Sequence, residues 1–384
     1  MFRCPIVLLS WCALATAPRA QATPAPRVEP RLRVLNGATE PAQVFWLRPD
    51  GTRVDNGTIA PGGHRDITTT LGHRFAVVGQ TSGKETQYTV LVPVQAVRFD
   101  PPSPTGVPAF YTQQLSAQGF PITASARVDP YALKEAAYLI DLMLANRPDV
   151  RTAMIQSGSR LCILAHDEFT TDLPEWTWLA DVPEPAARGV SVKDFRDARA
   201  RGMGGSATDP FVSCAEENLL AYPGDPYAAE CILIHEFAHN IHLRGMANVD
   251  PTFDGRVRAA YDAAMAQGLW RGKYASTNHH EYFAEGVQSW FDDNRENDHD
   301  HNHVDTREEL LAYDPGLAAL CREVFGTTEL HYEKPATRLT GHLAGYDPSR
   351  APRFVWPARL QAAQAAIRRQ VDARTKAADD AAGK

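Results

Sequence analysis

Residues 231–242, Cys-Ile-Leu-Ile-His-Glu-Phe-Ala-His-Asn-Ile-His, constrain this chain more than any other stretch. Ile232, Leu233, Ile234, Phe237, Ala238 and Ile241 place apolar groups on nearly every side, so a helix formed here has to be buried. His235 and His239 then project from one face, one turn apart. Burying two imidazoles and the Glu236 carboxylate is costly unless something pairs them. One Zn²⁺ would do so. The two imidazole nitrogens would ligate it, and Glu236, about 100° further round the helix, would stand beside water at an open coordination position. The alternative is a buried helix whose polar side chains hydrogen-bond to their neighbours.

A third ligand decides between them. In one known arrangement a glycine three residues past the second histidine turns the chain towards a third histidine. Here His242 holds that position and Gly245 comes three residues later, which rules the arrangement out. His242 lies two turns from His235, and hydrogen bonding is expected of it. The other arrangement takes a glutamate from a separate downstream helix. Glu281-Tyr-Phe-Ala-Glu285 offers two carboxylates at i and i+4, backed by Tyr282, Phe283, Val287, Trp290 and Phe291, with Asn278 as the helix cap. Glu281 lies 42 residues past His239, enough for one intervening helix and a return, and it is assigned as the third ligand. Glu285 is expected to orient a ligating imidazole from behind. His279 and His280 adjoin Glu281 and compete with it as ligands. The run Asp298-His299-Asp300-His301-Asn302-His303 reads either as a solvated loop or as a further metal site.

The 384 residues leave room for two or three domains, and 44% hydrophobic with 22% charged residues is the composition of a folded chain. A formal net charge of −7 gives no support for nucleic-acid or anionic-membrane binding. Residues 1–22 read as a secretory signal: Arg3, an uncharged apolar run over 5–17, and Ala20-Gln21-Ala22 as cleavage site. The protein is therefore expected outside the cytoplasm, extracellular or periplasmic. No later stretch reaches about 18 apolar residues, so no stable membrane insertion is expected. Removing the signal leaves Cys162, Cys214, Cys231 and Cys321, enough for two disulfides in three connectivities. Cys214–Cys231, closing a short loop ahead of the histidine helix, is the expected pair; free buried thiols are the alternative.

Residues 23–31 form a proline-rich linker. Over 32–97 short β-type runs (33–35, 42–47, 64–69, 74–78 and 87–92) alternate with turn signals at Pro49-Asp-Gly51, Asn56-Gly57, Pro61-Gly-Gly63 and Leu71-Gly72. A small β-sandwich follows from that spacing. Residues 98–128, with five prolines, are expected as a connector along the surface. A second, α+β domain is expected over 129–330. Asp129-Pro130 opens its first helix, 160–165 forms a central strand, 211–214 and 218–222 form short strands, and 193–201 is a charged, exposed helix or turn. Asp225-Pro226 would start the histidine helix and Gly245 would stop it. Residues 331–384 are expected as a C-terminal extension, helical from 359 and frayed beyond 374.

Two family resemblances add to this reading. Trp46-Leu-x-x-Asp-Gly51, Thr58-Ile-x-Pro-Gly62 and Ile67-Thr-Thr-Thr-Leu-Gly-His73 resemble the β-domain of the von Hippel–Lindau tumour suppressor over roughly sixty residues, a span that in this chain runs without an evident gap. The resemblance implies a protein-binding or targeting sandwich whose pocket for a hydroxyproline-containing peptide would use Trp46, Thr69 and His73. Asn56 and Phe75 stand where that family has a tyrosine and a tryptophan, and Trp46 and His73 can equally be core and turn residues of a sandwich. Separately, His235-Glu-Phe-Ala-His239 followed by Tyr274-x6-Glu281-Tyr-Phe-Ala-Glu285 resembles the catalytic domain of anthrax lethal factor and the clostridial Pro-Pro endopeptidases. That implies a zincin-like fold of the glutamate-ligand class, Zn²⁺ as cofactor and a protein or peptide substrate. It further implies Glu236 as general base and Tyr274 as donor to the oxyanion of the reaction intermediate. The whole is then multidomain, an all-β sandwich followed by an α+β zincin-like metallopeptidase domain. The rival reading is an extracellular zinc-containing binding protein without catalysis.

Overall fold

The computed structural model describes residues 29–382 except 102, 104, 105 and 327. The expected signal segment and most of the linker lie outside the described residues.

The N-terminal region is all β. Its strands are β1 (Arg31–Asn36), β2 (Ala42–Leu47), β3 (Arg53–Ile59), β4 (His64–Thr68), β5 (Arg74–Gly79), β6 (Glu85–Thr89) and β7 (Val94–Phe99). They form two sheets, in the orders β4-β1-β7 and β3-β2-β5-β6. Alternate residues from both, among them Leu32, Val34, Val44, Ile59, Phe75, Val77 and Phe99, meet in one core. β3 and β7 were not expected as strands. Asn56-Gly57, expected as a turn between strands, is a bulge inside β3: Gly57 has φ +87° and the β2–β3 register slips between Gln43 and Phe45.

The C-terminal region holds a five-stranded sheet and most of the helices. Its strands are β8 (Gln113–Ala117), β9 (Phe120–Ala124), β10 (Arg160–Leu164), β11 (Gly202–Met203) and β12 (Phe211–Ala215), in the order β11-β12-β10-β9-β8. The helices are α1 (Pro130–Met143), α2 (Pro148–Gln156), α3 (Val192–Arg199), α4 (Glu216–Leu219), α5 (Ile232–Asn240), α6 (Ala247–Val249), α7 (Phe253–Ala266), α8 (His279–Trp290), α9 (Arg307–Tyr313), α10 (Pro315–Phe325) and α11 (Gln361–Ala382). β9, β10 and β12 run parallel, while β8 and β11 are antiparallel edges. Both faces of β10 are covered. Leu161 and Ile163 join the large helical core, and Cys162 and Leu164 join a second cluster with Trp176 and Phe211.

Several expectations are corrected here. Residues 98–128 are not a surface connector, since β8 and β9 are integral strands and Phe120 and Ile122 are core residues. Residues 218–222 are not a strand; they are the end of α4 and a turn. The charged stretch 193–201 is not wholly exposed, because Phe195, Asp197 and Arg201 are buried. The expected C-terminal extension is not peripheral over 331–360: Leu343 and Tyr346 sit in the main core. None of the four cysteines is bridged; all are buried free thiols, and burial pushes Cys162 up to about 12. No helix among the described residues is long and apolar enough to cross a membrane.

Candidate metal centre

Helix α5 begins at Ile232 rather than just after Asp225. Its first turn is capped from a distance: Ile232 N–H donates to Asn218 Oδ1 at 2.7 Å, and Cys231 N–H donates to Asp293 Oδ1 at 2.8 Å. At its far end Gly245 does not stop the helix. The chain continues through a wider π turn (Ile241–Met246) into α6. Gly245 is required there because a Cβ would lie 2.5 Å from Val150 Cγ1 on α2.

α5 packs against α8, whose first turn is capped by Asn278 Oδ1, accepting from His280 and Glu281 N–H. The pairing brings together three of the expected ligands. His235 Nε2 lies 3.1 Å from Glu281 Oε2, His239 Nε2 lies 3.2 Å from that same oxygen, and the two imidazole nitrogens are 3.3 Å apart. Four ligands at 2.0–2.1 Å around a tetrahedral ion stand about 3.3 Å from one another, so this triangle has the dimensions of one face of such a site. The donor set, two imidazoles and a carboxylate, could hold one metal ion, and its chemistry and spacing are compatible with Zn²⁺. Burial works against ionising Glu281, but hydrogen bonds with His235 and His239 outweigh it and hold the carboxyl below its ordinary range.

Glu285 is near the position expected of it, with Oε1 3.4 Å from His235 Nδ1, but a closer partner intervenes. Gln288 Oε1 lies 2.8 Å from His235 Nδ1, and Gln288 Nε2 donates to buried Glu230 at 2.9 Å. Glu281, Glu285 and Gln288 are spaced i, i+4, i+7 along one stripe of α8, a pattern that could have revealed Gln288. The other oxygen of Glu285 lies 3.3 Å from His301 Nε2, and His301 Nδ1 lies 2.7 Å from Asp298 Oδ1. The His/Asp-rich run therefore braces the ligand helix. Among the described residues it forms no metal-binding group of its own.

A cleft of about 780 Å³ opens over the three candidate ligands, and Glu236, Tyr274, β11 and the Gly204-Gly205 segment after it line it. Burial pushes the Glu236 carboxyl above its ordinary range, the two histidines opposing this, which favours accepting a proton. Tyr274 sits in the short turn before α8, its ring centroid 6.1 Å from that of His235. Its backbone N–H donates to Asp300 O at 2.8 Å, and partial desolvation at the cleft wall together with the Glu281 carboxylate raises its phenol, which stays protonated as a donor although the residue is 39% exposed. On the opposite wall β11 passes close to α5. A Cβ on Gly202 would overlap Ile232, and one on Gly204 would lie 2.6 Å from His239 Cδ2. Arg201, not expected as a site residue, fixes the root of this strand through buried Glu217 and the carbonyls of Ala165 and Glu168.

In the sandwich, Trp46, Thr69 and His73 do come together. The Trp46 and His73 rings are 5.1 Å apart, and Thr69 Oγ1 lies 3.1 Å from His73 Nδ1. Trp46 and His73 face a cavity of about 440 Å³, whereas Phe75 belongs to the core. Neither the protein-family models nor the curated proteins contain a match to this chain.

Proposed function

We propose that this protein is an exported zinc metallopeptidase with a zincin-like catalytic domain, and that its sandwich binds a protein partner or targets the enzyme. The observation that carries the reading is the triangle of His235, His239 and Glu281 donor atoms at 3.1–3.3 Å, with Glu236 and Tyr274 lining the same cleft. His235, His239 and Glu281 would hold the ion. When bound, Zn²⁺ supplies Lewis acidity towards a carbonyl and makes water a better nucleophile. Glu236 takes the proton of the attacking water and delivers it to the leaving amine. Tyr274 donates its phenol hydrogen to the oxyanion as charge develops there. The β11 strand, an edge of its sheet that borders the cleft, is the element an extended peptide backbone would pair with, and Gly202 and Gly204 let it lie close against α5. Gln288 and Glu285 keep His235 Nδ1 hydrogen-bonded, leaving Nε2 for the metal.

The test is cleavage of a peptide library by the chain lacking residues 1–22, with and without chelator, beside Glu236→Gln of measured zinc content. Chelator-sensitive cleavage should fall by about 10²-fold or more in the variant while zinc stays bound. One equivalent of zinc with no peptide cut would instead favour the non-catalytic binding protein.

A further inference from the structure

A second cluster lies behind the first. His242, Asp254, His279 and His280 meet where the π turn, the start of α7 and the start of α8 converge. The Nε2 atoms of His279, His242 and His280 lie 3.0, 3.1 and 3.6 Å from one atom, Asp254 Oδ1. His242 is wholly buried, and neither of its ring nitrogens makes a hydrogen bond, since the Asp254 contact is close but misaligned.

Hydrogen bonding alone does not account for this arrangement. Only His279 hydrogen-bonds to Asp254 Oδ1, while His242 and His280 crowd the same oxygen without bonding to it. Leaving a buried imidazole without a partner is destabilising. Asp254, His279 and His280 offer donor atoms that all lie within 4.8 Å of one another, close enough to share one divalent ion, and His242 Nε2 adjoins the Asp254 member of the set. The separations from Asp254 Oδ1 bracket the spacing of about 3.3 Å expected between ligands of a tetrahedral ion.

We propose that His242, Asp254, His279 and His280 form a second metal site, for Zn²⁺ or a similarly borderline-soft divalent ion, distinct from the centre at His235, His239 and Glu281. Three imidazoles and one carboxylate select such an ion over calcium or magnesium, which take oxygen ligands. The competing cation is Arg258, 3.4 Å from His279 Nε2 and 3.8 Å from Asp254 Oδ2; its side chain is 60% exposed, and an entering ion would have to displace it into solvent. The site joins α7, the π turn and the first turn of α8. It therefore fixes the helix end from which Glu281 projects.

The test counts bound metal in the protein lacking residues 1–22 after loading with excess Zn²⁺ and gel filtration. Asp254→Asn and His280→Gln are the site variants, because both positions are partly exposed and the fold should survive; buried His242 is left intact. His239→Gln removes the other centre. Two equivalents in the parent, and one in each of the three variants, is the expected result. Co²⁺ loaded into His239→Gln should still give the visible absorption of a tetrahedral nitrogen-rich site. One equivalent in the parent that survives Asp254→Asn but vanishes in His239→Gln overturns the second site and leaves the first standing. One equivalent with the opposite pattern supports the second site and removes the basis of the peptidase reading. No bound zinc in the parent overturns both.

Discussion

Gln288 bears on the candidate metal centre without belonging to its donor triangle. Its carbonyl holds His235 Nδ1 at 2.8 Å, and its amide is held in turn by Glu230. Gln288→Leu should weaken Zn²⁺ binding by about 10- to 100-fold in competition with a chelator, while Gln288→Glu should retain it. Equal affinity in Leu and wild type would assign the orientation of His235 to Glu285 alone. At this scale the sequence was legible wherever the chemistry is local. His235, Glu236 and His239 declare themselves through i, i+4 spacing on one helix, and Glu281 through an acidic pair backed by aromatics. Gln288 carries no charge and no metal signature. Arg201 reads as one more surface cation until Glu217, sixteen residues on, is seen to meet it in the core.

Elements were legible where caps and periodicity agree. α1 and α8 begin where Asp129 and Asn278 place them, with both side chains accepting first-turn N–H groups. β8 and β9 were hidden by prolines that suggest a connector. Pro121, however, precedes the part of β9 paired with β10, which starts at Ile122, so no ladder donor is missing there. The π turn was equally invisible, because Gly245 reads as a stop. Gly245→Ala should cost about 1–3 kcal/mol by overpacking against Val150 and Met154. Urea denaturation measures it, and an unchanged midpoint would mean that α2 can give way.

The brace from the His/Asp-rich run to α8 makes a pH prediction. Burial opposes ionisation of both partners, yet His235 and then His301 lower Glu285 to about 2, and Glu285 in turn raises His301. The Glu285 contribution is present above its unfolded value near 4.5 and is lost as pH falls towards about 2. The His301 contribution is present below 6.5 and is lost as pH rises through the raised folded value. In metal-free protein, His301→Gln should therefore lower the melting temperature most between about pH 5 and 6, with the difference shrinking towards alkaline pH. A difference independent of pH would reduce the brace to packing.

Across the whole molecule, the C-terminal segment is part of the core rather than an addition to it. Leu343 is wholly buried, and Arg338 and His342 both reach the buried carboxylate of Glu135 on α1. Leu343→Ala should cost about 2–5 kcal/mol, and a chain ending at residue 330 should lose cooperative melting, whereas one ending at 373 should keep it. A cooperative transition in the shorter chain would restore a domain boundary near 330. No run of sequence announced this, because the contacts span some two hundred positions and each residue involved is ordinary.

The parallel pairing of β1 with β7 has a consequence for how the chain comes off the ribosome. β1 sits in the middle of its sheet, bonded to β4 on one side and β7 on the other, so the first described strand waits for the last strand of the sandwich. That same β7 is held by the second region: Val94 N–H donates to Asn248 Oδ1 at 2.7 Å, and Ala96 N–H donates to Ser157 O at 3.0 Å. Because N-terminal regions fold first during synthesis, the nascent sandwich closes on β7 before α2 and α6 exist. The later half is then assembled against a finished surface. A stalled nascent chain ending shortly after residue 99 has all seven strands but lacks the partners that hold the seventh.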